Sequence, residues 1–164
     1  TKPVEEWVSN QFVCTYSYRP DTKEDYGDDM IMMCIYYGCP MNPETNVDFV
    51  REYFEKMGFA SMLVHRYQNG KFDALGGTDA SEKIKQKIFT LYQTYIKRHC
   101  HSCKHAKLLE EVRDIKGLDD MTNWDLFAAG GYAMLGIDNY LPDMQKQQQD
   151  NSTNHTFVEE IIYH

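Results

Sequence analysis

Acids are missing from one long stretch of an otherwise acidic chain. From Lys83 to Lys107 there are seven Lys or Arg and three His but no Asp or Glu, whereas the 164 residues together carry a formal charge of −8. The net charge alone argues against a nonspecific polyanion binder, but its distribution argues for one. Other absences exclude whole classes. No apolar run reaches the roughly 20 residues that span a bilayer, so no membrane partner is expected. No secretory signal opens the sequence, so its thiols are expected to be reduced, in a cytosolic compartment. The five cysteines cannot all pair within one chain. There is no G-x-x-x-x-G-K-[ST] phosphate loop, which excludes an ATPase of that kind, and neither G-x-S-x-G nor H-E-x-x-H occurs. Gly76-Gly77-Thr78 is too short to cradle a phosphate and reads as a loop. The opening Thr1-Lys2-Pro3 lacks an initiator Met, as in a trimmed chain.

What is present is enough for a packed domain. The composition is 42% hydrophobic and 13% aromatic, with twelve Tyr and nine Met, which argues against disorder. Residues 4–18 read as a long strand or tight hairpin, closed by Arg19-Pro20-Asp21. Asp21 or Thr22 can cap a helix whose Tyr26, Met30, Met33 and Tyr37 share a face up to Gly38. Cys39-Pro40-Met41 reads as a short strand with Glu44 at its end, Thr45 to Met57 as a helix stopped by Gly58, and Ser61 to Arg66 as another strand. Asn69-Gly70 marks a turn. This alternation predicts an α/β sheet. The second half reads as helical, over about 81–99, 105–115 and 123–135, the last rich in small residues suited to close approach. Residues 1–137 then form one domain and 138–164 a polar tail, in which Phe157 to Tyr163 could add a short element.

Three groups of residues could carry chemistry. Glu44, at a strand end, and Asp125, at a helix start, could converge on Mg²⁺ or Mn²⁺, and a pair of such ions could activate water against a phosphodiester. Their plainer roles are a helix-dipole partner for Glu44 and a capping box, Thr122 to Asp125, for Asp125. Lys83, Lys85, Lys87, Lys97, Arg98, Lys104 and Lys107 could neutralise DNA phosphates, the alternative being a solvated helix face. His99-Cys100-His101-Ser102-Cys103-Lys104-His105 holds zinc-ligand types, but only one local cluster of them, so a plain helix connector is expected.

The order of segments resembles the C-terminal nuclease domain of large terminase subunits, the DNA-packaging proteins of tailed phages. The likeness runs over about 12–137. Tyr18-Arg19-Pro20-Asp21-Thr22 resembles that family's Arg-Pro-acid-Thr segment, and Tyr36 to Asn46, through Cys39-Pro40-Met41-Asn42-Pro43-Glu44, its strand-to-helix passage. Phe49 to Phe59, Gly77-Thr78 before a Lys-bearing helix, and Leu108-Leu109-Glu110-Glu111 resemble the segments that follow. Asn123-Trp124-Asp125-Leu126 resembles the last motif, an acid before a small-residue helix. The resemblance implies an RNase H-like mixed sheet flanked by helices and metal-dependent cutting of concatemeric DNA in the host cytoplasm. The portal and the small terminase subunit would be partners. Glu44 and Asp125 would hold the metals, with Asp119 and Asp120 in outer positions. The family's first acid has no match in Thr1 to Tyr18, so either it and its strand lie outside the chain or the acid has been lost. That departure favours a second reading, a module that docks on DNA or portal without cutting; a third, separate from it, is a small zinc-stabilised structural protein.

Overall fold

The computed structural model describes residues 11–150, apart from 47, 66, 69, 70 and 73–75; the side chains of 67, 68, 71, 72 and 138–150 are likewise outside the description. The expected strand over 4–10, the Asn69-Gly70 turn and the Phe157 to Tyr163 element therefore lie outside the described residues.

The fold is helical. Helices account for 66% of the described residues and strands for 3%, so the expected RNase H-like mixed sheet is overturned. The elements in order are α1 (Lys23–Tyr37), α2 (Asp48–Lys56), the two-residue strands β1 (Tyr67–Gln68) and β2 (Lys71–Phe72), α3 (Glu82–His99), α4 (Ala106–Asp114) and α5 (Asp125–Asp150). β1 and β2 pair antiparallel as a minimal ribbon. Residues 11–18 carry no strand. No described helix is long and apolar enough to cross a membrane.

Local chemistry sets the helix ends. The Thr22 hydroxyl oxygen accepts from the Asp25 amide at 3.0 Å, and Glu24 and Asp25 place negative charge on the positive end of α1. Gly38 takes the left-handed conformation, φ 61°, and the Cys39 amide reaches back to the Cys34 carbonyl at 3.2 Å. Gly58, φ 81°, ends the α2 region in the same way, with the Phe59 amide on the Phe54 carbonyl at 2.7 Å.

The segments read as sheet strands become single bridges. Met41 pairs with Leu63 and Glu44 with Thr78, both parallel. Pro40 and Pro43 supply the reason: neither has an amide hydrogen, so a ladder through 39–45 is broken twice in four residues. The three short segments still pack closely. The Val64 amide donates to Met41, the Gly77 amide to Val64 and the Thr78 amide to Pro43, at 2.8, 2.8 and 2.9 Å. Gly77 has φ 105°, and a Cβ there would stand 2.5 Å from the Pro43 carbonyl oxygen, so both its conformation and its neighbour demand glycine.

Two apolar clusters result. One joins α1 and α2 through Met30, Ile31, Cys34, Val50, Tyr53, Phe54 and Leu63. The other joins α3, α4 and α5 through Ile88, Tyr92, Leu108, Phe127 and Leu135. Asn42 ties the bridge segments to α5. Its buried amide donates to the Tyr132 carbonyl at 2.7 Å, and its carbonyl accepts from the Thr78 hydroxyl at 2.9 Å.

The small residues of α5 do permit close approach, but to a helix rather than a sheet. A Cβ on Gly131 would overlap the Ile88 side chain, and one on Gly130 the Tyr92 hydroxyl. Tyr92 stacks on Phe127 with ring centroids 4.2 Å apart and donates to the Phe127 carbonyl at 2.8 Å. Helix α5 also continues to Asp150, through the first half of the stretch read as a polar tail. Gly131→Ala should therefore lower the unfolding free energy by about 1–3 kcal/mol through overpacking, despite alanine's better helix propensity. Urea unfolding checks this. Combined with Ile88→Ala, the two costs should add to less than their sum, because the smaller side chain makes room for the new methyl.

Candidate nucleic-acid interface

Helix α3 is built with two unlike sides. Ile88, Tyr92 and Tyr95 are buried, and Ile84, Phe89 and Leu91 pack against the same cluster. The opposite side is read by steps of four, three, four and three: Lys83, Lys87, Thr90, Thr94 and Lys97 are all exposed, with exposed Arg98 beside them. At 1.5 Å per residue, Lys83 and Lys97 stand about 21 Å apart along the axis, roughly six base-pair steps of a duplex. The Thr90 and Thr94 hydroxyls donate to the carbonyls of Gln86 and Thr90, both at 3.1 Å, so their side chains lie back along the helix. Lys85, two residues from Lys83, points about 200° around the axis and is half-buried. The structure thus divides the seven cations read as one group. Lys83, Lys87, Lys97 and Arg98 share one face, Lys85 leaves it, and Lys104 and Lys107 are exposed beyond the helix end.

The stretch after α3 is pinned at its end by His105. Cys100–Ser102 form a 3-10 turn, and His105 precedes α4. His105 Nε2 lies 2.7 Å from the Phe12 carbonyl, which can only accept, so the proton sits on Nε2. Nδ1 then accepts from the Thr15 hydroxyl at 3.2 Å. Both ring nitrogens of this zinc-ligand type are engaged in holding residues 12–15 against α4.

The acids expected to act together are placed as follows. Glu44 is half-buried on its bridge to Thr78. Asp125 is the exposed first residue of α5. Asn42 docks at Tyr132, seven residues further along that helix and so about 10 Å from Asp125 along the axis. The sheet edge that was to bring the two carboxylates together is absent. Among the described residues, no three or more His, Cys, Asp and Glu come together as a metal site would require.

Asp125 does not close a capping box either. Thr122 lies within a 3-10 segment, Leu118–Asn123, and the Phe127 amide donates instead to Glu111 Oε2 of α4 at 2.9 Å. Asp119 is exposed on the 3-10 segment. Asp120 spends both oxygens on structure. It accepts from Asn123 Nδ2 at 3.0 Å, Trp124 Nε1 at 2.8 Å and the Lys116 amide at 3.2 Å. Those donors, the Asn123 amide foremost, hold its carboxyl below the usual aspartate range. Sequence reading missed Glu111 as a cap and Asn42 as a tie, because both act across gaps of 16 and 90 residues. The one available signal was Asn42 itself, a polar residue set in the apolar Cys39 to Pro43 stretch.

The chain matches no protein-family model, no curated protein and no solved structure.

The Asp120 knot has a pH signature. A carboxyl whose folded pKa is depressed adds stability that is present above its ordinary value, about 3.9, and is lost as pH falls through the folded value. In Asp120→Asn, the decline in urea midpoint as pH is lowered from about 5 to about 2 should be shallower than in the parent. Superimposable profiles would show that Asp120 makes no such contribution.

Proposed function

We propose that this chain is a docking module that holds duplex DNA by its phosphate backbone, through the exposed face of α3. The observation that carries the reading is the alignment of Lys83, Lys87, Lys97 and Arg98 on one side of a helix, in a stretch without a single acid. Phosphate contact of this kind is independent of sequence and releases counterions. The acids that make the chain negative overall lie elsewhere. Exposed Glu24, Asp25 and Asp28 are on α1, which belongs to the other apolar cluster. The domain therefore presents a negative helix and a positive helix rather than a uniform field.

The resemblance to large terminase subunits agrees with a duplex DNA partner and with a place in an assembly with portal and small subunit. Docking is favoured over cutting because Glu44 and Asp125 have no common sheet edge and meet no third ligand among the described residues.

Fluorescence anisotropy on two unrelated duplexes tests the reading. Four phosphate contacts give a slope of log K against log salt of about −3 to −4, equal for both sequences. Lys83→Glu with Lys87→Glu, or Lys97→Glu with Arg98→Glu, should weaken binding to both duplexes alike. Each lost cation should reduce the slope by about one. Asp25→Lys with Asp28→Lys on α1 should not weaken it. Binding untouched by the α3 reversals would overturn the docking surface. Mn²⁺-dependent cutting abolished by Asp125→Asn would replace docking with the nuclease reading.

A further inference from the structure

The turn that follows α3 holds two cysteines three residues apart, Cys100 and Cys103. Cys100 and Cys103 are both free thiols, the first exposed and the second half-buried against the α3–α5 cluster. Cys100–Ser102 is a 3-10 turn, and the Cys103 amide donates to the Cys100 carbonyl at 3.2 Å. In 3-10 geometry the side chains at i and i+3 eclipse. A turn closed by that bond also brings the two Cα atoms within about 7 Å, the span a disulfide bridges. The backbone thus presents a dithiol already close to the geometry of its oxidised form.

A second observation points to the same place. Tyr95 is only 6% exposed, yet its hydroxyl is buried with no hydrogen-bond partner. Its neighbours include Cys103 and the His99 ring, whose centroid lies 5.9 Å from its own; burial and then Cys103 push its phenol well above the usual range. The hydroxyl therefore keeps its proton and has only a weakly accepting thiol, that of Cys103, to turn to. An orphaned buried donor is costly, and a thiolate on Cys103 would be a far better acceptor than the thiol. The flanking residues Arg98, His101 and Lys104 are exposed bases or cations, which suit an anionic reagent.

We propose that Cys100 and Cys103 form a redox-active dithiol that reacts with anionic low-molecular-weight disulfides, of which glutathione disulfide is the simplest. The exposed Cys100 thiolate attacks one sulfur of the disulfide. An S–S bond to Cys100 forms, the reagent's own S–S bond breaks, and the first glutathione leaves and takes up a proton. The Cys103 thiolate, with the Tyr95 hydroxyl donating to it, then attacks Cys100 Sγ and expels the second glutathione, which takes up the other proton. Two protein thiols are oxidised to one disulfide and one glutathione disulfide is reduced to two thiols. Of the other three thiols, Cys34 is buried on α1, the Cys14 thiol is directed to the Thr15 carbonyl at 3.8 Å, and Cys39 is exposed just after α1.

The test uses the full chain in glutathione buffers of graded oxidation, quenched by alkylation and mapped by mass spectrometry. The expected product is a Cys100–Cys103 disulfide, with an equilibrium constant at least about tenfold larger folded than in urea. Cys103→Ser should stop at a stable glutathione adduct on Cys100. Tyr95→Phe should reach the same disulfide but accumulate that adduct on the way, a readout that a purely packing role would not move. Equal constants for folded and unfolded chain would overturn the proposal, as would a disulfide mapped to Cys14 and Cys39 or no adduct on Cys103→Ser.

Discussion

The close approach of α3 to α5 is the constraint on which the rest of the molecule depends. Gly130 and Gly131 leave no side chain between the two helices, so Tyr92 and Ile88 seat directly on the α5 backbone. That seating fixes the rotation of α3 about its own axis. With Ile88 and Tyr92 down, the positions offset by half a turn must face outward, and these are Lys83, Lys87, Thr90, Thr94 and Lys97. The cationic face is therefore a consequence of how the core is packed. A bulkier residue at either glycine would not only destabilise the pair but also tilt or turn the lysines. The start of α5 is held by Glu111 from α4, so the N-terminal end of the helix that receives α3 is itself fixed by a third element.

Charge is concentrated within each cluster rather than divided between them. The exposed acids Glu24, Asp25 and Asp28 gather on α1 of one cluster, while the acid-free cationic face lies on α3 of the other, whose exposed acids Glu110, Asp114, Asp119 and Asp125 lie on α4, α5 and the segment between them. Asn42 reaches across, bonded to Thr78 on one side and Tyr132 on the other. In a dry setting each of those bonds matters more for the penalty of losing it than for its net gain. The tie is made by a polar side chain because the segment it sits in, between Pro40 and Pro43, has too few amides to make a sheet that would do the same work.

Much of the helical half was legible in the sequence, and the reasons are physical. The stripe Ile84, Ile88, Leu91 and Tyr95 marks α3 to within a residue of its observed start, because apolar spacing over five turns has no other good explanation. Thr22, Gly38 and Gly58 behave as caps and stops, since those roles need only local backbone geometry. The sheet was not legible. Short apolar runs at 39–41 and 61–66 are compatible with a strand or with an isolated bridge, and only the amide bookkeeping of Pro40 and Pro43 decides between them. The cationic group was legible as a stretch but not as a face; Lys85 was grouped with its neighbours although helical rotation carries it away. Glu44 and Asp125 were paired on the assumption of a common sheet edge, and with that edge gone the inference has no scaffold. The tying roles of Glu111, Asn42 and His105 were not legible, because their partners are distant in sequence.

Hydrogen exchange of the full chain, alone and with an excess of a short duplex, tests the central claim most directly. The account expects DNA to slow exchange along α3, from Lys83 through His99, and to leave α1 between Asp25 and Tyr36 unchanged. Protection confined to α1, or absent from α3 under conditions where the duplex is bound, would contradict it.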